Sequence, residues 1–172
     1  MLTVAAVLAQ AGTVSARPQG HVAVRAAPCG VGHGEKLWED SFFCGAFTGD
    51  LLFFRESNQS FGLGPYLEAN TAGFWDARFG GGASLLLPVH EVLPLVVSLG
   101  VYDHELRAAS VGGTVFWGAR SYNFTSTYNW TLGLYASGFR DLAGRDTLLS
   151  VGLEIDGFFI AAPFIYAFQA LR

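Results

Sequence analysis

Apolar residues occupy every second position over much of this chain, and this period restricts the fold more than any other feature of the sequence. The stretch from Thr147 to Asp156 shows it most clearly. One of its faces is apolar throughout: Leu149, Val151, Leu153 and Ile155. Because successive side chains of a β-strand point to opposite faces, the pattern predicts a strand that is apolar on one side and polar on the other.

The same alternation recurs along the chain and predicts a barrel. About eight strands of roughly ten residues are expected, an even number that suits a closed antiparallel sheet. Segments rich in Ser, Asn and Gly separate them, which is typical of short connections in an up-and-down order. The predicted strands are 46–54, 63–70, 75–87, 95–102, 114–122, 130–139, 147–156 and 158–168.

The composition favours a membrane location for this barrel. Charged residues make up 14% of the chain, against about 25% in soluble domains, and the mean hydropathy is +0.36. A ten-residue strand tilted by about 45° rises roughly 23 Å, close to the apolar band of an outer-membrane barrel. The predicted fold class is therefore all-β, an antiparallel up-and-down transmembrane β-barrel. With a net charge of −4 and no run of Lys or Arg, the chain is not expected to bind nucleic acid.

In a transmembrane barrel of this size the apolar face meets lipid, while the polar face fills a narrow lumen. Carboxylates and guanidinium groups occur together on that polar face, so we expect ion pairs, with Arg78 neutralising Asp76 or Glu68. By the phases of the predicted strands, no His faces the lumen. The ion-pair candidates are Asp50, Glu68, Asp76, Arg78, Arg120, Glu154 and Asp156.

Aromatic residues near the predicted strand ends are expected to form girdles at the two membrane surfaces. Amphipathic rings settle at the level of the lipid headgroups, which is why such girdles flank the apolar band. The candidates are Trp75, Trp130, Phe139, Phe158, Phe164, Tyr166 and Phe168.

The N-terminal part of the chain is expected to lie outside the barrel. Residues 1–16 combine a short apolar stretch with two small-x-small sites, which predicts a signal peptide, although no Lys or Arg follows Met1. Residues 17–43 form a predicted N-terminal segment with a disulfide loop, since Cys29 and Cys44 are the two cysteines and lie close together. The barrel is expected to occupy 44–172. No metal site is expected, because the residues between the cysteines do not complete a zinc ligand set.

From Cys44 to Phe168 the pattern resembles the small eight-stranded barrels of bacterial outer membranes. The alternating Phe164, Tyr166 and Phe168 are similar to the terminal aromatic signal of such proteins, and Gln169–Arg172 follow them here. The resemblance implies residence in a bacterial outer membrane, contact with its lipid and recognition by the barrel assembly machinery. Because paired side chains are expected to fill the narrow lumen, the expected role is structural, surface contact or lipid contact, with no cofactor, no catalytic residue and no known protein partner.

Two other functions are compatible with the alternation. A soluble lipocalin-like barrel, periplasmic or secreted, would reverse the two faces and carry an apolar ligand inside. A barrel-borne lipid-modifying hydrolase would use His104, which lies between two carboxylates, as its base. A membrane helix over 83–101 is disfavoured, because Pro88 and Pro94 interrupt it.

Overall fold

The computed structural model describes residues 18–74, 76–104, 108–120, 130–143 and 146–170. In this part of the chain, eight strands form a closed barrel in which each strand is antiparallel to its neighbours. Pairing of the first strand with the last completes the ring, so the prediction of an antiparallel up-and-down barrel of eight strands is confirmed. The elements are β1 (Gln19–Gly32), β2 (Asp40–Leu52), β3 (Gly62–Ala72), β4 (Asp76–Leu87), β5 (Leu95–His104), β6 (Ala108–Ala119), β7 (Leu132–Asp141), β8 (Thr147–Asp156) and α1 (Phe158–Ala170).

Two elements differ from the prediction. Residues 158–168, predicted as the last strand, belong to the helix α1. The strand that completes the set of eight is β1, which lies in the segment predicted to precede the barrel. Its polar residues Gln19, His21 and Arg25 are buried, with small or apolar residues between them. The barrel therefore begins at Gln19 and not at Cys44, while residues 1–16 lie outside the described residues.

Both ends of the barrel chain lie on the same side of the ring. β1 begins and β8 ends at this side, called the terminal end below, and α1 follows there. β1, β3, β5 and β7 end at the opposite side, called the distal end. Among the described residues, no helix has the length and apolar character needed to cross a membrane.

The barrel is polar inside and apolar outside. Leu67 and Leu99 on the outer face are 71% and 65% exposed, whereas Glu68 is 5% exposed. Among the described strand residues that point outward, charge occurs only at Asp103 and Arg140, both near the distal end. Soluble barrels have the opposite distribution, with the apolar side chains inside.

Apolar side chains also fill part of the interior at the distal end. Cys29 and Cys44 form a disulfide that joins β1 to β2, with 5.8 Å between their Cα atoms. Phe139 was predicted for the aromatic girdle, but it is 3% exposed and packs edge-on against Tyr102, with ring centroids 4.6 Å apart. It lies four residues after Tyr135 on β7, and residues an even number apart share a face of a strand. The distal cluster comprises Cys29, Cys44, Tyr66, Ala72, Tyr102, Phe139 and Leu148.

Glycines allow β4 and β5 to approach closely inside the barrel. Gly82 lies directly opposite Gly100 in the ladder. A Cβ atom on Gly82 would lie 2.0 Å from the carbonyl oxygen of Leu99 and 2.6 Å from the Cα of Gly100. Because these contacts are with backbone atoms, a side chain at this position would push the two strands apart.

We therefore predict that Gly82→Ala lowers the free energy of unfolding by about 1–3 kcal/mol, as overpacking does. Urea unfolding of the refolded protein measures this change in the free energy of unfolding. Gly20→Ala is the matched control, because a Cβ on Gly20 meets nothing nearer than 3.9 Å, so its stability should be unchanged or slightly higher. Equal stability of the two variants would contradict the close approach.

A contact between two distal turns depends on a histidine. Nδ1 of His33, in the turn between β1 and β2, lies 2.8 Å from Oδ1 of Asp146, just before β8. The hydrogen bond to Asp146 raises the pKa of His33 above its usual value, and the charge of that carboxylate acts in the same direction. A raised pKa in the folded state means that protonated His33 favours the folded protein.

We predict that this contact stabilises the protein fully below the ordinary pKa of His, about 6.5, and that its contribution disappears as the pH rises through the raised pKa of His33. Titration of the His33 ring by NMR checks the shift, and Asp146→Asn should return the pKa towards its usual value. An unchanged titration in Asp146→Asn would show that the contact does not form.

Candidate functional site

The interior of the barrel is organised around Arg25, in the middle of β1. Its Nε donates to Oε2 of Glu154 on β8 and its Nη1 donates to Oε2 of Glu68 on β3, each at 2.6 Å. Glu154 is directly opposite Arg25 in the ladder, whereas Glu68 reaches it from two strands away. All three residues are at most 5% exposed. Two buried carboxylates therefore share one guanidinium.

The same guanidinium also contacts the far side of the barrel. Nη1 of Arg25 donates to Oγ1 of Thr114 on β6 at 3.3 Å. The guanidinium carbon lies 5.1 Å from the ring centroid of Tyr135 on β7, a cation–π distance. Arg25 thus links β1 with β3, β6, β7 and β8 across the lumen.

From Glu154 the network continues towards the terminal end. His21 places Nε2 3.9 Å from Oε1 of Glu154 and Nδ1 3.6 Å from Oδ2 of Asp50. Asp50 in turn accepts a hydrogen bond of 2.5 Å from Nη2 of Arg120. His21 also makes a 2.8 Å hydrogen bond to Oγ1 of Thr131. A chain of polar groups therefore runs from the middle of the barrel to its terminal end.

Arg55 lies at the terminal end of this chain, in the connection between β2 and β3. It is 4% exposed, and its Nη1 donates to Oε1 of Gln19 at 2.8 Å. Burial and, to a lesser extent, the charge of Arg120 lower the pKa of Arg55 to about 10, against the opposing effect of the Asp50 carboxylate. The guanidinium remains positive at neutral pH.

Towards the distal end the continuous chain of polar groups is replaced by separate polar pairs. Asn70 donates to Glu68 at 3.1 Å. Arg78 donates to Asp76 at 3.2 Å, near the end of the barrel, where the side chain of Asp76 is 28% exposed. Tyr66 and Tyr102 share a hydrogen bond between their hydroxyl groups.

Hydroxyl pairs connect neighbouring strands at two further points of the interior. Ser84 of β4 bonds Ser98 of β5 at 2.5 Å, and Ser137 of β7 bonds Ser150 of β8 at 2.6 Å. In both cases the residues are directly opposite each other in the ladder. These pairs satisfy polar groups that would otherwise be buried without a partner.

Little free space remains between these side chains. The cavity beside Arg25 and Glu68, which reaches Tyr135 and Ser150, measures about 10 Å³. This is about the space that one water molecule needs. The described residues contain no group of three or more His, Cys, Asp or Glu arranged to hold a metal ion.

The ion-pair candidates predicted from the sequence lie in or at the rim of this interior. Asp50 and Arg120 pair with each other, and Asp76 pairs with Arg78. The structure does not bring Glu68 to Arg78, because Arg25 already holds Glu68. Asp156 is buried, and its Oδ1 accepts a hydrogen bond from the backbone N–H of Phe158, at the start of α1.

Sequence reasoning missed Arg25 and His21. Both lie on β1, which was assigned to a segment outside the barrel, and the expectation that no His faces the lumen is therefore wrong. The sequence carried a signal, since Gln19, His21 and Arg25 share one phase of a two-residue period, with Gly20, Val22 and Val24 in the other. The backbone of His104 ends β5 opposite Arg78, but its side chain and Glu105 are outside the described part of the chain.

The fold and the interior define a class: a closed eight-stranded antiparallel barrel with an ion-paired interior and an apolar exterior. Comparison with known protein families, curated proteins and solved structures finds no match for this chain.

The arrangement predicts that Arg25→Met strongly destabilises the protein, because this substitution leaves Glu68 and Glu154 buried without their counter-charge. The free energy of unfolding should fall by about 3–5 kcal/mol, as measured by denaturant titration. Arg140→Met, which removes an exposed guanidinium from β7, is the matched control and should change stability by no more than about 0.5 kcal/mol.

The triple variant Arg25→Met, Glu68→Gln, Glu154→Gln separates charge from packing. Because it removes the two orphaned charges, it should regain much of the stability that Arg25→Met loses. A triple variant less stable than Arg25→Met alone would show that the ion pairs do not account for the loss.

Proposed function

We propose that this protein is an integral β-barrel of a bacterial outer membrane, with a structural or lipid-contact role and a closed polar core. The observation that carries the proposal is the apolar outer face that surrounds a filled, ion-paired interior. In water, side chains as exposed as Leu67, Phe79 and Val151 would form a continuous apolar surface, which monomeric soluble proteins rarely have. In a bilayer the same surface meets acyl chains.

Aromatic residues near both ends of the barrel support this location. At the terminal end, Phe54 stacks on Phe61 and Trp130 packs edge-on against Phe159. At the distal end, Phe43 stacks on Phe74. Two aromatic levels separated by an apolar band are typical of transmembrane barrels. Of the girdle candidates from the sequence, Trp75 and the side chain of Phe164 lie outside the described residues.

The compartment is proposed from the disulfide and the fold together. A buried disulfide between Cys29 and Cys44 fits an oxidising compartment such as the bacterial periplasm, where an outer-membrane protein passes and folds. The proposed partners are outer-membrane lipid and the barrel assembly machinery. The last strand available to that machinery is β8, because the aromatic residues after it lie in α1.

The closed interior supports a structural role more than transport. The cavity beside Arg25 and Glu68, about 10 Å³, is too small for a solute, and Arg25 contacts groups on opposite sides of the lumen. A lipocalin-like carrier needs an apolar internal cavity, and the described interior holds ion pairs at that place.

A charge on the outer face tests the membrane location. Val151, in the middle of β8, is 61% exposed, and we predict that Val151→Arg lowers the free energy of unfolding in bilayers by about 2–4 kcal/mol. Leu142→Arg is the matched control: Leu142 is 64% exposed but lies in a distal turn, where the charge reaches water. Unfolding in lipid vesicles measures both, and heat-dependent electrophoretic mobility verifies that each variant has folded.

A soluble barrel would give another result. Substitutions at exposed positions of soluble proteins change stability by about 0.5 kcal/mol or less, so both variants would behave like the unmodified protein. That outcome, together with a protein that stays dissolved and monomeric without detergent, would overturn the proposed function.

A further inference from the structure

The helix α1 is apolar on every side. Its sequence, Phe158–Ala170, contains no charged residue, and Gln169 is its most polar side chain. Every residue of α1 whose burial is described is exposed except Ala162, which is half-buried. Tyr166 and Phe168 are 66% and 62% exposed. They are two positions apart in the chain, so they lie about 200° apart around the helix axis. The helix therefore presents large apolar side chains on opposite sides.

The start of α1 is fixed to the terminal end of the barrel. Gly157 alone separates it from β8, and the N–H of Gly157 donates to the carbonyl of Val22 on β1 at 3.0 Å. The ring of Phe159 packs against Trp130, with centroids 4.1 Å apart. These contacts place the first turn of α1 at the level of the terminal aromatic residues.

We propose that α1 is a second lipid-contacting element, which lies in the boundary layer of the bilayer at the terminal end. A protein partner or a second copy of this chain would cover one side of the helix and leave the other apolar side in water. Lipid can surround it. A helix apolar all round is found either inside a large protein or in a membrane. This inference rests on the proposed function, because the barrel sets the position of the bilayer.

The length of α1 determines its depth. Its 13 residues extend about 20 Å, which is shorter than the roughly 30 Å hydrocarbon core. Its first turn lies beside Trp130, a type of residue that prefers the interface. The helix therefore stays near the headgroup level and does not cross the membrane.

Depth-dependent quenching tests the proposal in lipid vesicles. An environment-sensitive fluorophore is attached, after disulfide formation, to a single additional cysteine in the full chain. Tyr166→Cys reports on α1, Val151→Cys on the middle of the barrel and Glu35→Cys on an exposed distal turn. Quenchers are attached to the lipid near the headgroup or near the end of the acyl chain.

The expected result is strong quenching of the Tyr166→Cys label by the shallow quencher and of the Val151→Cys label by the deep quencher. The Glu35→Cys label should respond to neither. Deep quenching at Tyr166→Cys would overturn the assigned depth, and no quenching there, with Val151→Cys quenched, would overturn the lipid contact of α1 alone. No quenching at Val151→Cys would overturn the proposed function, whatever the label on α1 shows.

Discussion

The buried pairing of Arg25 with Glu68 and Glu154 is the interaction on which the remainder of the interior depends. Two carboxylates lie in a lumen with almost no free space, and each would repel the other without the guanidinium between them. The pairing sets the positions of the neighbours, because Glu154 approaches His21 and Glu68 accepts from Asn70. Removing one member of such a group lowers the free energy of unfolding by more than the intact group raises it, because the remaining charge is left buried without a partner. The polar interior is therefore a single cooperative unit.

The proposed bilayer location changes which contacts hold the barrel closed. Lipid is as apolar as the outer face, so outward packing gives little preference for the closed ring over other arrangements. Closure then depends on the backbone ladders and on the interior side chains. The opposed glycines Gly82 and Gly100 serve this purpose by allowing two strands to approach closely, and Ser84 and Ser98 join the same strands by their hydroxyl groups. Small residues inside the barrel thus contribute to its shape together with the charged ones.

Much of this fold could be predicted from the period of two, and the failures have physical causes. The predicted strand Thr147–Asp156 has the same bounds as β8, because its apolar and polar faces are separated from Leu149 to Asp156. In 158–168 nearly every position is apolar, so periodicity could not distinguish strand from helix, and the structure has α1. In β1 the buried face carries Gln19, His21 and Arg25, which lie in the segment 17–43 predicted to precede the barrel. The lumen-facing residues of the other strands were predictable, and so was the pair of Asp76 with Arg78, but the pairing of Glu68 and Glu154 was not, since it required the position of Arg25.

The bond between Arg25 and Glu154 crosses the line where the first and last strands meet, and this has a consequence for assembly. The two residues are 129 positions apart in the chain, and nearly the whole barrel must be present before they can pair. Until then β1 and β8 are free edges whose N–H and C=O groups can join any other strand. The disulfide, in contrast, joins neighbours only 15 positions apart and is available as soon as the first hairpin forms. The disulfide can therefore fix the hairpin of β1 and β2 early. The edge of β8, where Glu154 still lacks its counter-charge, is then the part of the barrel most exposed to wrong pairing.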